Sequence, residues 1–308
     1  MNEKAFLFGE PKTMLGVLTE PAFAGAPAQP DPAVAGEQPA IIILNSGIVH
    51  RIGPARNTVR VARRLAADGF AVLRLDLSGI GDSEPRADTL SFEERAVVDV
   101  GQAMDHLEKT RGLRSFVLMG LCSGADNSYL TALRDPRVVG AVLIDGYGYQ
   151  TPGFYLRHFA QRAMHLVTER ELAVRQVRTL SRRLRRAVRK HTGQDAGAAP
   201  ADDGDRRPPS QADRPFPPRE EFARGVRALV DRGVHLYFIY TAGMHYYNYR
   251  QQLADSLPEV DFKGRVDTDY FPSSDHTFTD LRQQISLVES VAAWTRRTFP
   301  LGLVRRAG

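Results

Sequence analysis

The sequence predicts an α/β protein: a mostly parallel central sheet with helices on both faces and a helical insertion in the second half of the chain. Three observations carry this. Short apolar, β-branched runs alternate with helix-period segments along most of the 308 residues, and that alternation favours a parallel sheet covered on both sides. The unusual polar residues fall at the carboxyl ends of the predicted strands, where such sheets build their sites. One long stretch, 146–232, carries no strand pattern at all.

The elements follow in order. Ala5–Phe8 and Met14–Leu18 read as a short leading hairpin, followed by the Pro/Ala/Gly-rich linker PAFAGAPAQPDPAVAGEQP, which has turn chemistry and no periodicity. Ala40–Leu44 is apolar and β-branched, as in a strand buried on both faces. Thr58–Ala67 has helical spacing, with Val61 and Leu65 on one face, and Phe70–Leu75 is the next strand, ending at Asp76. A helix covers Phe92–Lys109; Ser115–Met119 and Val138–Ile144 are strands, the second ending at Asp145. After the insertion come strands at Val234–Tyr240 and Arg265–Phe271, then a C-terminal helix around Trp294. The core is therefore expected over 1–145 and 233–308, and a cap over 146–232. The cap opens on the aromatic loop GYGYQTPGFYLRHF and continues through a basic, helix-like stretch. Its 193–218 portion is low in complexity and reads as disordered.

Composition narrows the class. A hydrophobic fraction of 43% and a charged fraction of 25% suit a globular protein. No apolar run is long enough to cross a bilayer, so no stable membrane insertion is expected. The N-terminus MNEKAFLFGE lacks the apolar core of a signal peptide, and the single cysteine excludes an internal disulfide. These features point to the cytoplasm. The net charge is +5, with basic residues concentrated between Arg157 and Lys190, as in SRRLRRAVRK. Such a run reads first as a solvated helix face and second as a contact for an anionic surface or substrate carrier; nucleic-acid binding is not expected.

The chemistry concentrates in MGLCSGAD, residues 119–126, between a strand and a helix. This is the setting of a nucleophile elbow, a strained turn that needs tiny side chains two residues before and two after the nucleophile. Gly120 and Gly124 flank Cys122 in that way; around Ser123 the corresponding residues are Leu121 and Ala125, and Leu121 would clash. Cys122 is therefore the candidate nucleophile, and Ser123 contributes its backbone N–H to an oxyanion hole. The helix N-terminus favours a thiolate there. His276, in the loop after the last strand, is the candidate base, and His50 a weaker rival. The loop after the first core strand, Leu44-Asn45-Ser46-Gly47-Ile48-Val49-His50, offers the Ile48 N–H as second oxyanion donor. The turn Asp76-Leu77-Ser78-Gly79-Ile80-Gly81-Asp82-Ser83 lacks the third glycine of a dinucleotide fingerprint and reads as a tight structural turn. No cofactor or metal site is expected.

Taken in order, Asn45-Ser46-Gly47, Asp76-x-x-Gly79-x-Gly81-x-Ser83, Gly120-x-Cys122-x-Gly124 and Asp275-His276 resemble the α/β-hydrolase superfamily over nearly the whole chain. Within it, the elbow GLCSGA and the ending DHTF resemble the serine-aminopeptidase-like group, in particular hydrolases associated with bacterial exosortase systems. Cysteine elbows also occur in dienelactone hydrolases and polyhydroxyalkanoate synthases. The resemblance implies acyl chemistry on an ester, thioester or amide through an acyl-Cys intermediate, by hydrolysis or by transfer. It covers fold strongly and substrate weakly.

The sequence departs from that pattern at the acid of the triad. The loop after the seventh strand, Tyr240–Tyr247, holds no carboxylate. The resemblance implies the end of the sixth strand as the other common place for the acid, and Asp145 stands there as the orienter of His276, with Asp126 second and a Cys–His pair without an acid third. A small acyl substrate carried on coenzyme A or an acyl-carrier protein is the expected partner. Tyr147, Tyr149, Phe154, Tyr155, Tyr246, Tyr247 and Tyr249 either line an acyl pocket or pack cap against sheet. The competing expectation is a non-catalytic binding protein that retains the fold, supported by the missing carboxylate.

Overall fold

A computed structural model describes residues 2–21, 38–160, 162–164 and 216–300. Its eight described strands are β1 (Asn2–Phe8), β2 (Met14–Glu20), β3 (Ala40–Ile43), β4 (Val72–Leu75), β5 (Phe116–Leu121), β6 (Val138–Ile144), β7 (His235–Thr241) and β8 (Val266–Phe271). They form one sheet in the order β1-β2-β4-β3-β5-β6-β7-β8. β1 and β2 pair antiparallel, β2 joins β4 antiparallel, and every later pairing is parallel.

The helices are α1 (Asn57–Ala67), α2 (Phe92–Arg111), α3 (Ser123–Arg134), α4 (152–160), α5 (Arg219–Asp231), α6 (Gln252–Ser256) and α7 (Leu281–Thr298). Alternation in the strands decides what each face meets. Ile41, Ile43, Val117, Met119, Val142, Ile144, Tyr237 and Ile239 share one face, where Val61 and Leu65 of α1 and Val291 and Trp294 of α7 close over them. α2, α3 and α5 pack against one another in sequence and bury Val100, Ala103 and Leu107 of α2 and Phe222, Val226 and Leu229 of α5. α2 begins at a capping box, in which the Ser91 side chain accepts from Glu94 N–H and the Glu94 carboxylate from Ser91 N–H.

The contacts divide the chain into two units, one of Met1–Thr151 with Pro218–Gly308 and one of Pro152–Pro217. The division falls inside the span 146–232 read from the sequence. α5 belongs to the first unit because its apolar stripe is used there: the Phe222 ring lies 5.2 Å from Tyr129 of α3 and 6.1 Å from Phe238 of β7. Of the second unit, the described part is α4, the helical residues 162–164 and residues 216–217; in α4 Phe154 and Tyr155 meet edge to face with centroids 5.5 Å apart. The low-complexity span 193–218, all but its last three residues, and the run SRRLRRAVRK lie outside the described residues.

Candidate active site

The site forms where β5, β6, β7 and β8 end, all parallel and side by side. Cys122 sits between β5 and α3 at φ 58°, ψ −121°, a conformation that costs a non-glycine residue energy and persists only where the surroundings impose it. Those surroundings are backbone. A Cβ on Gly120 would lie 2.1 Å from the carbonyl carbon of Gly124, and a Cβ on Gly124 would lie 2.3 Å from Asn45 O. Both glycines are thus fixed by close approach, as the frame around Cys122 predicts. The Cys122 N–H donates to Ile144 O at 2.8 Å, tying the turn to β6. The side chain is half-buried.

His276 comes from the loop between β8 and α7. Asp275 shapes that loop, accepting the N–H groups of Thr277 at 2.9 Å and of Thr279 at 3.2 Å together with both threonine hydroxyls. Phe278, buried at φ 54°, completes the turn. From the α1 side Asn57 Nδ2 donates to Thr277 O at 3.1 Å. From the β7 side Gly243 lies so close that a Cβ there would stand 2.3 Å from His276 N.

Asp145 follows β6 at φ 48° and is fully buried. Its Oδ2 accepts from His276 Nδ1 at 2.8 Å and from Thr241 Oγ1 at 2.7 Å, and its Oδ1 accepts from Thr241 N–H at 2.8 Å. With Nδ1 turned to Asp145, the other ring nitrogen is the one presented to Cys122, with which His276 also hydrogen-bonds. Burial opposes a charge on the ring, but the hydrogen bonds of Asp145 and Cys122 and their negative charge outweigh it and push the His276 pKa up to about 9. Cys122, His276 and Asp145 are therefore brought together. Asp126 sits instead in the first turn of α3, beside Gly146, and His50 is exposed on its loop.

Two contributors were not read from the sequence. Thr241 ends β7, the strand after which a carboxylate was sought; it supplies two donors that hold the Asp145 carboxylate. Tyr246 donates to Asp145 O at 3.1 Å and to Gly146 O at 2.7 Å, bracing the turn beneath that carboxylate. A signal was present in the hydroxyl-rich run Tyr240–Tyr249, but hydroxyls have too many ordinary uses to stand out. Tyr147, Tyr246, Tyr247 and Tyr249 are buried. The Tyr247 hydroxyl donates to Arg250 O at 3.2 Å and that of Tyr249 to Asp255 Oδ2 at 2.7 Å, while Tyr240, stacked on Tyr247 at 3.6 Å, donates to Tyr147 O.

The loop after β3 lies against the elbow. Asn45 donates to Val49 O at 3.0 Å and to Asp76 Oδ1 at 3.1 Å, and its Oδ1 accepts from Leu77 N–H at 2.8 Å. The fully buried Asp76 also receives Arg51, through both its backbone N–H, at 2.6 Å, and its guanidinium. The glycine-rich turn after β4 thus anchors this loop: Gly81 at φ 59° packs so close to Asp76 that a Cβ there would overlap its carboxylate. Ile48 lies in the turn Ser46–Val49 with its side chain 93% exposed. The loop's bond to the elbow is made by Gly47, whose N–H donates to Ser123 Oγ at 2.8 Å.

Among the described residues no cluster of three or more His, Cys, Asp or Glu is placed to hold a metal ion, and no helix is long and apolar enough to cross a membrane. No curated protein matches the chain by sequence. Solved structures match across nearly its full length. An alpha-beta serine hydrolase homologue from Coxiella burnetii superposes with a TM-score of 0.53 at 13% identity, covering 95% of this chain and 97% of its own. A serine hydrolase without lid from Xanthomonas campestris gives 0.52 at 15%, covering 98% and 97%. Est1E from Butyrivibrio proteoclasticus gives 0.54 at 12%, covering 95% and 98%. At such identities the likeness is one of fold, and the fold is that of the α/β hydrolases. Residues 36–195, just over half of the chain, match the family described as serine aminopeptidase, S33. The chain belongs to that family of α/β hydrolases.

Proposed function

We propose that this hydrolase acts on an ester or thioester through a covalent acyl intermediate on Cys122. The single observation that carries the reading is the chain of contacts from Cys122, on its strained turn, through His276 to the buried Asp145. A histidine held charged to about pH 9 beside a thiol favours the thiolate–imidazolium pair at neutral pH. The thiolate attacks the acyl carbon, and the carbonyl π electrons move to oxygen. The N–H groups of Ser123 and Ile48 receive that oxyanion: the neighbouring amides are engaged, Gly47 with Ser123 and Val49 with Ser46 O at 3.0 Å. Collapse expels the leaving alkoxide or thiolate, which takes the His276 proton. Water then gives a proton to His276 as it attacks the thioester, releasing the carboxylic acid and restoring Cys122. An alcohol, amine or thiol in place of water turns hydrolysis into transfer.

Thioesters suit this site because exchange between thiols is close to thermoneutral. An acyl group carried on coenzyme A or an acyl-carrier protein is the substrate class we favour, with the reaction taking place in the cytoplasm. The test is intact-mass detection of an acyl adduct after incubation with p-nitrophenyl esters and acyl-thioesters. The adduct should form on the wild type and on Ser123→Ala and vanish in Cys122→Ala. An adduct that persists in Cys122→Ala and vanishes in Ser123→Ala would transfer the role to serine.

A further inference from the structure

The loop Asn45–Arg51 is held unequally on its two sides. Toward β4 it is fastened by the buried Asp76 through Asn45 and Arg51. Toward the elbow, its tip has no packing of its own. The Ile48 side chain is 93% exposed, and a Cβ on Gly47 would meet nothing within 4 Å. Gly47 sits at φ 53°, a conformation that glycine adopts freely, so nothing in its own backbone preference holds the tip in place. The side-chain bond that crosses from tip to elbow is Gly47 N–H to Ser123 Oγ, at 2.8 Å.

We propose that the Ser123 side chain is a positioning residue for the oxyanion hole. It clamps the tip of the loop to the residue that directly follows the nucleophile. The distinction from a mere surface bond lies in where the tether is attached. Ser123 is covalently next to Cys122, so the clamp fixes the Ile48 amide relative to the reacting atom and not only relative to the sheet. A preorganised hole needs that, because its donors must already stand where the oxyanion develops. The Ser123 hydroxyl in GLCSG thereby has a use without being the nucleophile. The proposal rests on the acyl-enzyme reading, and its failure is separable from the failure of that reading.

The experiment uses the full chain with Ser123→Ala and Ser123→Thr. Losing one oxyanion donor costs roughly 100- to 1,000-fold in kcat. Loosening a donor that is still present should cost less, about 10- to 100-fold for Ser123→Ala, with KM within about threefold. Ser123→Thr keeps the oxygen and should recover most of the rate. Amide exchange at Gly47, slow in the wild type and Ser123→Thr, should become fast in Ser123→Ala. Alkylation of Cys122 by iodoacetamide should proceed at the same rate in all three, since His276 and Asp145 are untouched. Wild-type kcat in Ser123→Ala, unchanged Gly47 exchange, or a parallel fall in alkylation rate would each overturn the clamp. If Cys122→Ala still forms the acyl adduct, the acyl-enzyme reading falls first, whatever Ser123→Ala does.

Discussion

Replacing Asp145 by Asn removes one charge and one acceptor from the floor of the site. The carboxylate serves three donors with two oxygens: Thr241 N–H at 2.8 Å, Thr241 Oγ1 at 2.7 Å and His276 Nδ1 at 2.8 Å. An amide offers one acceptor oxygen and an NH2 group. An Asn that keeps the Thr241 N–H bond turns its NH2 toward His276. The ring must then accept at Nδ1 and carry its proton on Nε2, the nitrogen facing Cys122, where it can no longer take the thiol proton. The net rise of His276 from 6.5 to about 9, which Asp145 and Cys122 together produce against burial, corresponds to roughly 3 kcal/mol, at about 1.36 kcal/mol per unit. The same change in a serine triad costs about 10,000-fold in kcat. A thiol ionises more readily than a hydroxyl, so we expect a loss of roughly 100- to 1,000-fold here. The assay is the pH dependence of Cys122 alkylation alongside ester turnover. The inflection assigned to His276 should move from near 9 down to the ordinary imidazole range or below, because burial then acts unopposed by the carboxylate. Stability gives a second readout. A pKa raised in the folded state contributes stability that is complete below about pH 6.5 and lost as pH rises through about 9. Wild-type urea midpoints should fall across that window while those of Asp145→Asn stay flatter. Identical inflections in the two proteins would refute the reasoning.

Three further changes probe the supports. Gly243→Ala puts a Cβ 2.3 Å from His276 N; backbone must move, so turnover should fall by about 100-fold for a displacement near 1 Å while the melting temperature drops only modestly, and unchanged turnover would show the contact to be slack. Thr241→Val keeps the N–H donor and removes the hydroxyl from Asp145; the His276 inflection should remain high while kcat falls about tenfold, on the scale of roughly 1 kcal/mol for one hydrogen bond. Asp76→Ala leaves Arg51 and Asn45 without their buried acceptor, which should cost about 3–5 kcal/mol in urea unfolding and should also release the loop, read as faster amide exchange over 45–51.

How much of this was legible in the sequence depends on the kind of physics involved. The strands could be read because a strand buried on both faces must be apolar throughout, as in Ala40–Ile43 and Val138–Ile144. The elbow could be read because a strained turn excludes side chains at fixed offsets, and such exclusion leaves glycines in the sequence. Asp145 was named through the resemblance, which offers the end of the sixth strand as the other common place for the acid once the loop after β7 is seen to lack a carboxylate. Thr241, Tyr246 and the Ser123 hydroxyl were not legible. Each acts through a hydrogen bond between residues distant in sequence, 96 apart for Thr241 with Asp145 and 76 for Gly47 with Ser123, and a hydroxyl carries no pattern that announces its partner. The place of α5 within 146–232 was not legible for a related reason. α5 has an ordinary amphipathic stripe, and only packing decides that Phe222 joins the main sheet.

The two buried carboxylates also bear on the thiolate proposed for Cys122. Asp76 follows β4 and Asp145 follows β6, one on either side of β5 in the order β4-β3-β5-β6. Two uncompensated buried charges flanking Cys122 would raise the cost of a thiolate, since like charges and burial both oppose ionisation. Each carboxylate instead has a cation beside it: Arg51, shared with the exposed Asp82 at 2.7 Å, for Asp76, and the charged His276 ring for Asp145. Their remaining lone pairs face donors in Asn45, Asp82 N–H and Thr241. What Cys122 meets is therefore one imidazolium and the amino end of α3, both of which favour negative charge. The same two ion pairs hold two loops of the site, Asn45–Arg51 and the one that carries His276. Charge compensation and geometry thus rest on the same residues, and a substitution that spares the fold but removes either cation should disturb both together.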